Sequence, residues 1–252
     1  MGFPERKQKI LRLLDQHDNR EVQEIADALG ISAITIRRDL QQLAEEGLLV
    51  RTHGGAMKAP ALHPFTAFTD KAGVGQERKQ YIGRLAAAQV KPGDTIFLDC
   101  GSTVFAMCEH LRKTGPLRVI TNSLPVLAAF MDCEQITVNL IGGEVDKERK
   151  AMHGHRALHH IDSYHGVKAF IGTDGLSVKN GLTAFSEKEA SVSKAMATQA
   201  DIVYLLCDSG KIGKDSYLKY APLTLFDHLI TDRQLPASTA AQFKVKGVSV
   251  IN

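Results

Sequence analysis

The chain has 252 residues, of which 44% are hydrophobic and 23% are charged, and its 31 Lys and Arg residues slightly outnumber its 28 Asp and Glu residues. This composition is typical of a globular protein and excludes a disordered chain or a small disulfide scaffold. Its apolar runs have the length of strands, far short of the ~20 residues needed to cross a bilayer. The four cysteines form no C-x-x-C pair, which favours reduced thiols in a cytoplasmic protein.

The first part of the chain is predicted to open with two short helices. Apolar residues at helical spacing predict a first helix from about Pro4 to Gln16. The polar cluster His17–Arg20 predicts a turn, and a second amphipathic helix then continues to Leu29. Gly30 is placed where a helix ends in the left-handed conformation.

A third helix and a hairpin follow. Ser32 is a favourable N-cap, and Ile36, Leu40 and Leu43 recur so that they line one buried stripe. Residues 48–55 are predicted to form a short strand and a tight connection that turns the chain back on itself.

Two helices joined by a glycine turn, the second with a polar outer face, are typical of a helix-turn-helix that enters the major groove of DNA. Arg and Gln can bond base edges, Thr can bond phosphate, and Ile can pack on a thymine methyl. The predicted DNA-binding residues are Ser32, Ile34, Thr35, Arg37, Arg38, Gln41 and Gln42, with Arg51 and His53 near the tip of the hairpin. Positions 1–58 hold nine basic and nine acidic residues, so DNA affinity must depend on placement. The alternative is a protein-docking module whose arginines are only solvated.

A change of composition separates this region from the rest of the chain. Residues 58–75 are rich in Pro, Ala and Gly with isolated aromatics, which favours a linker stiffened by its prolines. The sequence therefore predicts a domain at 1–57, a linker at 58–75 and a second domain at 76–252.

Helical and strand patterns alternate through the second domain. The predicted helices cover 76–89, 104–113, 124–131 and 187–200, and the predicted strands cover 95–99, 117–121, 136–141, 167–172, 202–207 and 228–231. This alternation predicts an α/β fold with a mainly parallel sheet and helices on both faces.

Polar residues follow several of these strands at the point where each strand ends. Because the carboxyl ends of parallel strands share one edge of a sheet, these residues are expected to converge on one crevice. Such a crevice suits a phosphorylated polyol, with Lys211 on the phosphate and carboxylates or amides on the sugar hydroxyls. The effector residues predicted from these clusters are Asp99, Gly101, Ser102, Thr103, Thr121, Asn122, Ser123, Gly142, Gly143, Asp174, Asp208 and Lys211.

Two sets of motifs resemble the DeoR family of bacterial transcriptional regulators. The N-terminal set is Ser32-x2-Thr35-Ile36-Arg37-Arg38-Asp39-Leu40, followed by Arg51-Thr52-His53-Gly54-Gly55-Ala56. The C-terminal set covers 97–103, 119–123, 140–144, 169–175, 189–190, 208–211 and 230–232. The resemblance implies a winged helix-turn-helix and a sugar-phosphate sensor similar in fold to ribose-5-phosphate isomerase, and it adds Glu189 to the effector residues. The chain departs from the family pattern at Gly210 and Ile212, on either side of Lys211.

This resemblance implies a DNA-binding regulator, a repressor of sugar-metabolism genes that a phosphorylated sugar releases from operator DNA. Binding to paired half-sites implies a homo-oligomer, either a dimer or a tetramer. A rival from another class is an isomerase-like enzyme that uses Asp174, Glu187 or Glu189 to move a proton. A third alternative is an interaction module without a small ligand.

Histidines crowd one segment, at positions His153, His155, His159, His160 and His165. They could bind a metal or an acidic ligand, but His153-x-His155 and His159-His160 do not share one helix face. Solvated or hydrogen-bonded histidines are therefore favoured, and neither a metal nor a cofactor is predicted.

Overall fold

The computed structural model describes residues 2–16, 19–45, 49–52, 54–58 and 75–252. The chain divides into two compact units, 1–64 and 65–252. Most of the predicted linker lies outside the described residues. No helix within the described ranges is long and apolar enough to cross a membrane.

The N-terminal unit is a three-helix cluster with a small antiparallel sheet in the strand order β1-β3-β2. Its elements are α1 (Phe3–Gln16), β1 (Asn19–Glu21), α2 (Val22–Leu29), α3 (Ala33–Glu45), β2 (Leu49–Arg51) and β3 (Gly55–Lys58). The predicted stripe of α3 is fully buried, since Ile36, Leu40 and Leu43 are each 0% exposed and pack with Ile10 and Ile25. This burial stabilises helices that are too short to persist alone in water.

Backbone pairing adds one strand to this unit that the side-chain pattern does not indicate. The polar cluster predicted as a turn at 17–20 contributes in part to β1, which pairs with β3 beside the hairpin of β2 and β3. Gly30 adopts φ 64° at the end of α2, as predicted, and its N–H bonds the carbonyl of Asp27.

The C-terminal unit is a doubly wound α/β sheet. Its helices are α4 (Gln76–Ala87), α5 (Ser102–Phe105), α6 (Cys108–Leu111), α7 (Leu124–Phe130), α8 (His155–Ile161), α9 (Glu187–Thr198) and α10 (Ala237–Val245). Its strands are β4 (Thr95–Leu98), β5 (Leu117–Thr121), β6 (Ile136–Leu140), β7 (Glu144–Asp146), β8 (Ala151–His153), β9 (Gly166–Gly172), β10 (Gly175–Ser177), β11 (Gly181–Ala184), β12 (Ala200–Leu206), β13 (Leu218–Ala221), β14 (His228–Ile230) and β15 (Ser249–Ile251). Seven of these strands form one sheet in the order β15-β14-β12-β9-β4-β5-β6, and every neighbouring pair is parallel. The predicted parallel sheet is confirmed.

Helices cover both faces of this sheet, as predicted. The strand β4 shows the alternation: Ile96 and Leu98 belong to a buried cluster with Ile82 of α4, whereas Phe97 belongs to a second buried cluster with Met196 of α9. Strands buried on both faces appear in a sequence as continuous apolar runs, which is why they were predicted at nearly their observed positions.

One predicted helix is divided. Residues 104–113 form α5 and α6, because the N–H groups of Met107 and His110 each bond the carbonyl three residues earlier and tighten the backbone between the two helices. The structure also contains elements that were not predicted: the hairpin of β7 and β8, the small antiparallel sheet of β10, β11 and β13, the helices α8 and α10, and the edge strand β15. The missed strands have three or four residues each, which is too short for a periodic pattern to develop.

The turn between β2 and β3 offers a matched pair of glycines for a test. A Cβ at Gly55 would clash with the carbonyl oxygen of Arg20, whereas a Cβ at Gly54 would meet nothing within 4 Å. We expect Gly55→Ala to push β1 away from β3 and to destabilise the N-terminal unit by about 1–3 kcal/mol, as overpacking does. Gly54→Ala should leave stability almost unchanged. Urea unfolding of the full chain, followed by far-UV circular dichroism, measures both, and equal midpoints would contradict the strand pairing.

Candidate functional site

The outer face of α3 is exposed and carries two cations. Arg37, Arg38, Gln41 and Gln42 are exposed, and Ile34 is 77% exposed beside them. Guanidinium and amide groups bond base edges and phosphates, and an exposed apolar side chain among them suits a thymine methyl. The exposed face of α3 therefore carries the kinds of side-chain groups that contact base edges and phosphates in DNA.

Ser32 and Thr35 order the start of this helix. The Ser32 hydroxyl accepts the N–H of Thr35 at 3.3 Å, as an N-cap does, and lies 2.9 Å from the Thr35 hydroxyl. At the hairpin, an Arg51 N–H donates to the side-chain oxygen of Gln41 at 3.3 Å. Arg51 thus lies next to the outer face of α3. His53 lies outside the described residues.

An ion pair fixes α3 against α1. The Arg6 Nε lies 2.6 Å from Asp39 Oδ2 and its Nη2 lies 2.9 Å from Oδ1. Asp39 is only 3% exposed, although it follows the two exposed arginines directly. The hydrogen bond to this carboxylate raises the pKa of Arg6. The acidic residue turns inward to hold the helix while Arg37 and Arg38 face outward.

A cavity of about 290 Å³ opens in the C-terminal unit, where β4 and β9 end. The sheet continues through β5 and β6 on one side of this point and through β12, β14 and β15 on the other. Open α/β sheets bind ligands at such a switch point, and the volume is at the lower end for a small-molecule pocket. The predicted effector residues that line the cavity are Asp99, Gly101, Ser102, Thr103, Asp174, Glu189 and Lys211. The lining residues that sequence reasoning missed are Cys100, Glu148, Arg149, Gly172, Thr173, Ala184, Ala190, Ser193, Leu206 and Tyr220.

The Asp99 carboxylate joins three elements of the cavity wall. Its Oδ1 accepts the N–H of Cys100 at 2.6 Å, while Oδ2 accepts the N–H of Gly172 at 3.1 Å and the hydroxyl of Ser193 at 2.8 Å. Asp99 is 4% exposed. Because both oxygens already accept hydrogen bonds, this residue positions the ends of β4 and β9 against α9, a role that the sequence analysis did not assign to it.

Lys211 and Asp174 are oriented by backbone groups. The Lys211 ammonium donates to the Thr173 carbonyl at 2.9 Å, and an ammonium has two further N–H donors for a ligand. Asp174 Oδ2 accepts the N–H of Phe185 at 3.0 Å. A fixed cation and a fixed carboxylate therefore share one cavity wall.

The hairpin of β7 and β8 supplies a second cation. Arg149 Nε and Glu189 Oε1 form an ion pair, and both residues line the cavity. The next residue, Lys150, has φ 54°, a left-handed conformation that costs a non-glycine residue about 1–2 kcal/mol. The Lys150 carbonyl accepts the N–H of Leu124 at 2.9 Å. This bond holds the unusual turn in place beside Arg149.

Three predicted effector residues at the end of β5 are fully buried and lie outside the cavity wall. The Thr121 hydroxyl donates to a carbonyl of β4 at 2.6 Å. The Asn122 Nδ2 donates to a carbonyl of β8 at 3.0 Å, and the Ser123 hydroxyl caps α7. Their polar atoms serve the packing of neighbouring segments, which a sequence pattern does not distinguish from ligand binding.

The remaining predicted effector residues, Gly142, Gly143 and Asp208, also lie outside the cavity wall, and they hold segments next to it. A Cβ at Gly143 would lie 2.5 Å from the His153 carbonyl oxygen, so a glycine is needed where this loop meets β8. The Gly142 N–H donates to His160 Nδ1 at 3.1 Å. Asp208 Oδ1 accepts the N–H of Gly210 at 3.1 Å and so caps the turn that carries Lys211.

Burial keeps part of the cavity surroundings uncharged. It raises the pKa of Tyr220, raises the pKa of the Cys100 thiol well above its usual range, and lowers the pKa of the His153 imidazole. Near neutral pH these groups are therefore a hydroxyl, a thiol and a neutral ring.

The clustered histidines occupy different environments. His155 and His159 of α8 meet edge to face with 4.4 Å between ring centroids. His160 accepts a backbone N–H, and His165 lies 3.1 Å from a surface carboxylate. His153 differs from them all, since it is 1% exposed and both ring nitrogens lack a hydrogen-bond partner among the described residues.

Two family models match the chain on either side of the predicted linker. Residues 6–59 match the DeoR-like helix-turn-helix domain, and residues 75–233 match the DeoR C terminal sensor domain. The chain belongs to the DeoR family. It is a DNA-binding transcriptional regulator, as the sequence analysis predicted.

Relatives support this assignment over most of the chain. The HTH-type transcriptional repressor GlcR of Bacillus subtilis is 37% identical over 229 residues, which cover 91% of this chain and 88% of GlcR. The lactose phosphotransferase system repressor of Lactococcus lactis is 33% identical over 246 residues, 96% of either chain. Among solved structures, ribose 5-phosphate isomerase A of Methanocaldococcus jannaschii is 20% identical over 54% of either chain, with a TM-score of 0.40.

The exposed face of α3 gives a direct test of DNA readout. We expect Arg38→Ala to weaken specific DNA binding by about 1–3 kcal/mol, because one guanidinium contact is lost. Arg156→Ala removes the same charge from an exposed position on α8 and should leave the affinity unchanged. Fluorescence anisotropy on DNA from the upstream region of the gene, with unrelated DNA for comparison, measures both. Equal affinities of the two variants would show that Arg38 does not contact DNA.

Proposed function

We propose that the protein represses genes of sugar metabolism and that a phosphorylated sugar, bound in the cavity, releases it from operator DNA. The observation that carries this proposal is the cavity at the switch point of a DeoR sensor domain, where a cation, hydroxyls and carboxylates converge. The name of the lactose phosphotransferase system repressor, a relative over nearly the full length, agrees with a sugar signal.

Different groups in the cavity wall match the phosphate end and the sugar end of a sugar phosphate. Lys211 supplies a point charge for the phosphate, and the Ser102 hydroxyl is a further donor in the wall. Asp174 has one oxygen held by a backbone N–H, and carboxylate oxygens accept sugar hydroxyls well. A neutral sugar would leave the Lys211 ammonium with no anionic partner in the ligand, so the phosphate is central to the proposal.

On the DNA side, α3 is the reading helix, and the hairpin of β2 and β3 with Arg51 contacts the phosphate backbone. A single head with so few cations binds a half-site weakly. We therefore include a symmetric homo-oligomer on paired half-sites, a dimer or a tetramer, and a cytoplasmic location where operator DNA is accessible. A coupling of about 1–3 kcal/mol between cavity and DNA then changes the affinity by roughly 5 to 150-fold.

The effector test uses the DNA-bound protein at one stated salt concentration. Sugars and their phosphates are titrated into the complex, and the release of labelled DNA is followed by anisotropy. We expect at least one phosphosugar, and not its parent sugar, to displace the DNA. Displacement by the parent sugar alone would overturn the phosphate assignment.

Lys211 and Lys214 form a matched pair for the phosphate contact. Lys211→Ala should retain DNA affinity and lose most of the response to the active phosphosugar, because the charge-assisted bonds to the phosphate are gone. Lys214 is exposed, lies outside the cavity wall, and its change to Ala removes the same charge. An unaltered effector response in Lys211→Ala would favour a cavity that takes no phosphate.

We further propose that the ligand is bound and not converted. A general base for isomerisation needs a free carboxylate at the substrate. In this cavity Asp174 accepts a backbone N–H and Glu189 is paired with Arg149, while Glu187 is exposed at the start of α9 and outside the wall. Asp174 and Glu189 therefore each have a partner in the cavity wall, so neither is the free carboxylate that such a base requires.

Turnover is checked by incubating the protein with aldose and ketose phosphates and recording proton NMR spectra. We expect every sugar phosphate to be recovered unchanged. Isomerisation that disappears in Asp174→Asn would establish an enzyme and reverse this part of the proposal.

A further inference from the structure

A cluster of three metal-ligating side chains lies at the edge of the cavity, and of these only Glu189 is among the predicted effector residues. Ligand atoms of Cys100, His153 and Glu189 all lie within 4.8 Å of one another. They come from three distant segments: the end of β4, the end of β8 and the first turn of α9. Because these segments are far apart in the chain, the spacing of the histidines in the sequence predicts no metal site.

The surroundings of His153 indicate that its ring binds a further group. Its side chain is buried at 1% exposure, and neither ring nitrogen has a hydrogen-bond partner among the described residues. A buried polar atom without a partner is unfavourable, and native proteins rarely retain one without a water, an ion or a ligand. One nitrogen of this ring belongs to the donor cluster.

We propose that Cys100, His153 and Glu189 bind a divalent transition-metal ion of the Zn²⁺ class. Sulfur and imidazole donors favour such ions over Mg²⁺ and Ca²⁺, which prefer oxygen. Donor atoms on one tetrahedral zinc ion lie roughly 3.5 Å apart, so the three groups need to close by only about an ångström.

The surroundings fit an ordered metal site. The backbone N–H of Cys100 is held by the Asp99 carboxylate at 2.6 Å. The ion pair with Arg149 orients the Glu189 carboxylate. Such supporting contacts orient ligands in known metal sites.

Cys100 and Glu189 also line the cavity. Three protein donors leave the fourth position of a tetrahedral ion open, as in zinc sites that bind a water or a substrate. A water or an oxygen atom of a molecule bound in the cavity can take that position. The metal proposal rests on the donor cluster alone. A chain that binds no Zn²⁺ would therefore not contradict the sugar-phosphate proposal.

The test uses the full-length protein, stripped of metal by a chelator and then titrated with Zn²⁺ against a chromophoric chelator. We expect one Zn²⁺ per chain. Co²⁺ in its place should give a thiolate-to-cobalt charge-transfer band and the intense visible bands of a four-coordinate ion. Cys100→Ser should remove the charge-transfer band, and His153→Asn should weaken Zn²⁺ binding at least about tenfold.

Two controls separate this site from surface binding. Cys133→Ser removes the one cysteine that is not fully buried, and the double variant His155→Asn/His159→Asn removes the ring pair of α8. Both should keep the tight site. Retained DNA binding and an unchanged circular dichroism spectrum show that each variant is folded. A wild-type chain that binds no Zn²⁺ stoichiometrically, or binding that survives Cys100→Ser and disappears in a control, would overturn the proposal.

Discussion

The cavity depends on the hydrogen bonds of one buried carboxylate. Asp99 follows β4 and accepts N–H groups of Cys100 and Gly172 together with the Ser193 hydroxyl. A buried carboxylate without such donors would be strongly unfavourable, so the three groups are held at fixed positions around it. The ends of β4 and β9 and the buried face of α9 are thereby tied together at the switch point.

The hairpin of β7 and β8 is the second feature on which the cavity depends, because it contributes residues both to the cavity wall and to the donor cluster. Its turn carries Arg149 into the cavity wall, and its last residue, His153, lies in the donor cluster with Cys100. The left-handed Lys150 and the close approach at Gly143 fix this hairpin from both ends. A change in this hairpin would therefore alter the cavity and the proposed metal site together.

The sequence predicts the parts of this structure that depend on local pattern. The buried stripe of α3, the left-handed Gly30 and the apolar strands were predictable, because each follows from periodicity or from the conformational freedom of one residue. The roles of Asp39 and Asp99 were not, since both depend on partners far away in the chain, Arg6 and Ser193. Arg149 was missed for the same reason: its charged turn looks like any solvated loop until β7 and β8 pair. Thr121 and Ser123 are the opposite case, since both were predicted to bind the effector. A hydroxyl at the end of a strand can bond a neighbouring strand or cap a helix as readily as it binds a ligand.

The charge arrangement of the cavity argues for a ligand with two unlike ends. Four carboxylates, Asp99, Glu148, Asp174 and Glu189, line it against two cations, Arg149 and Lys211. A simple anion filling the whole space would be repelled by the acidic groups, and a neutral polyol would leave the Lys211 ammonium without an anion. Since Arg149 is already paired with Glu189, Lys211 is the cation available to a phosphate, and Asp174, with one oxygen held by a backbone N–H, is available to hydroxyls. A molecule that carries a phosphate at one end and a chain of hydroxyls at the other satisfies both requirements, whereas either half alone satisfies one.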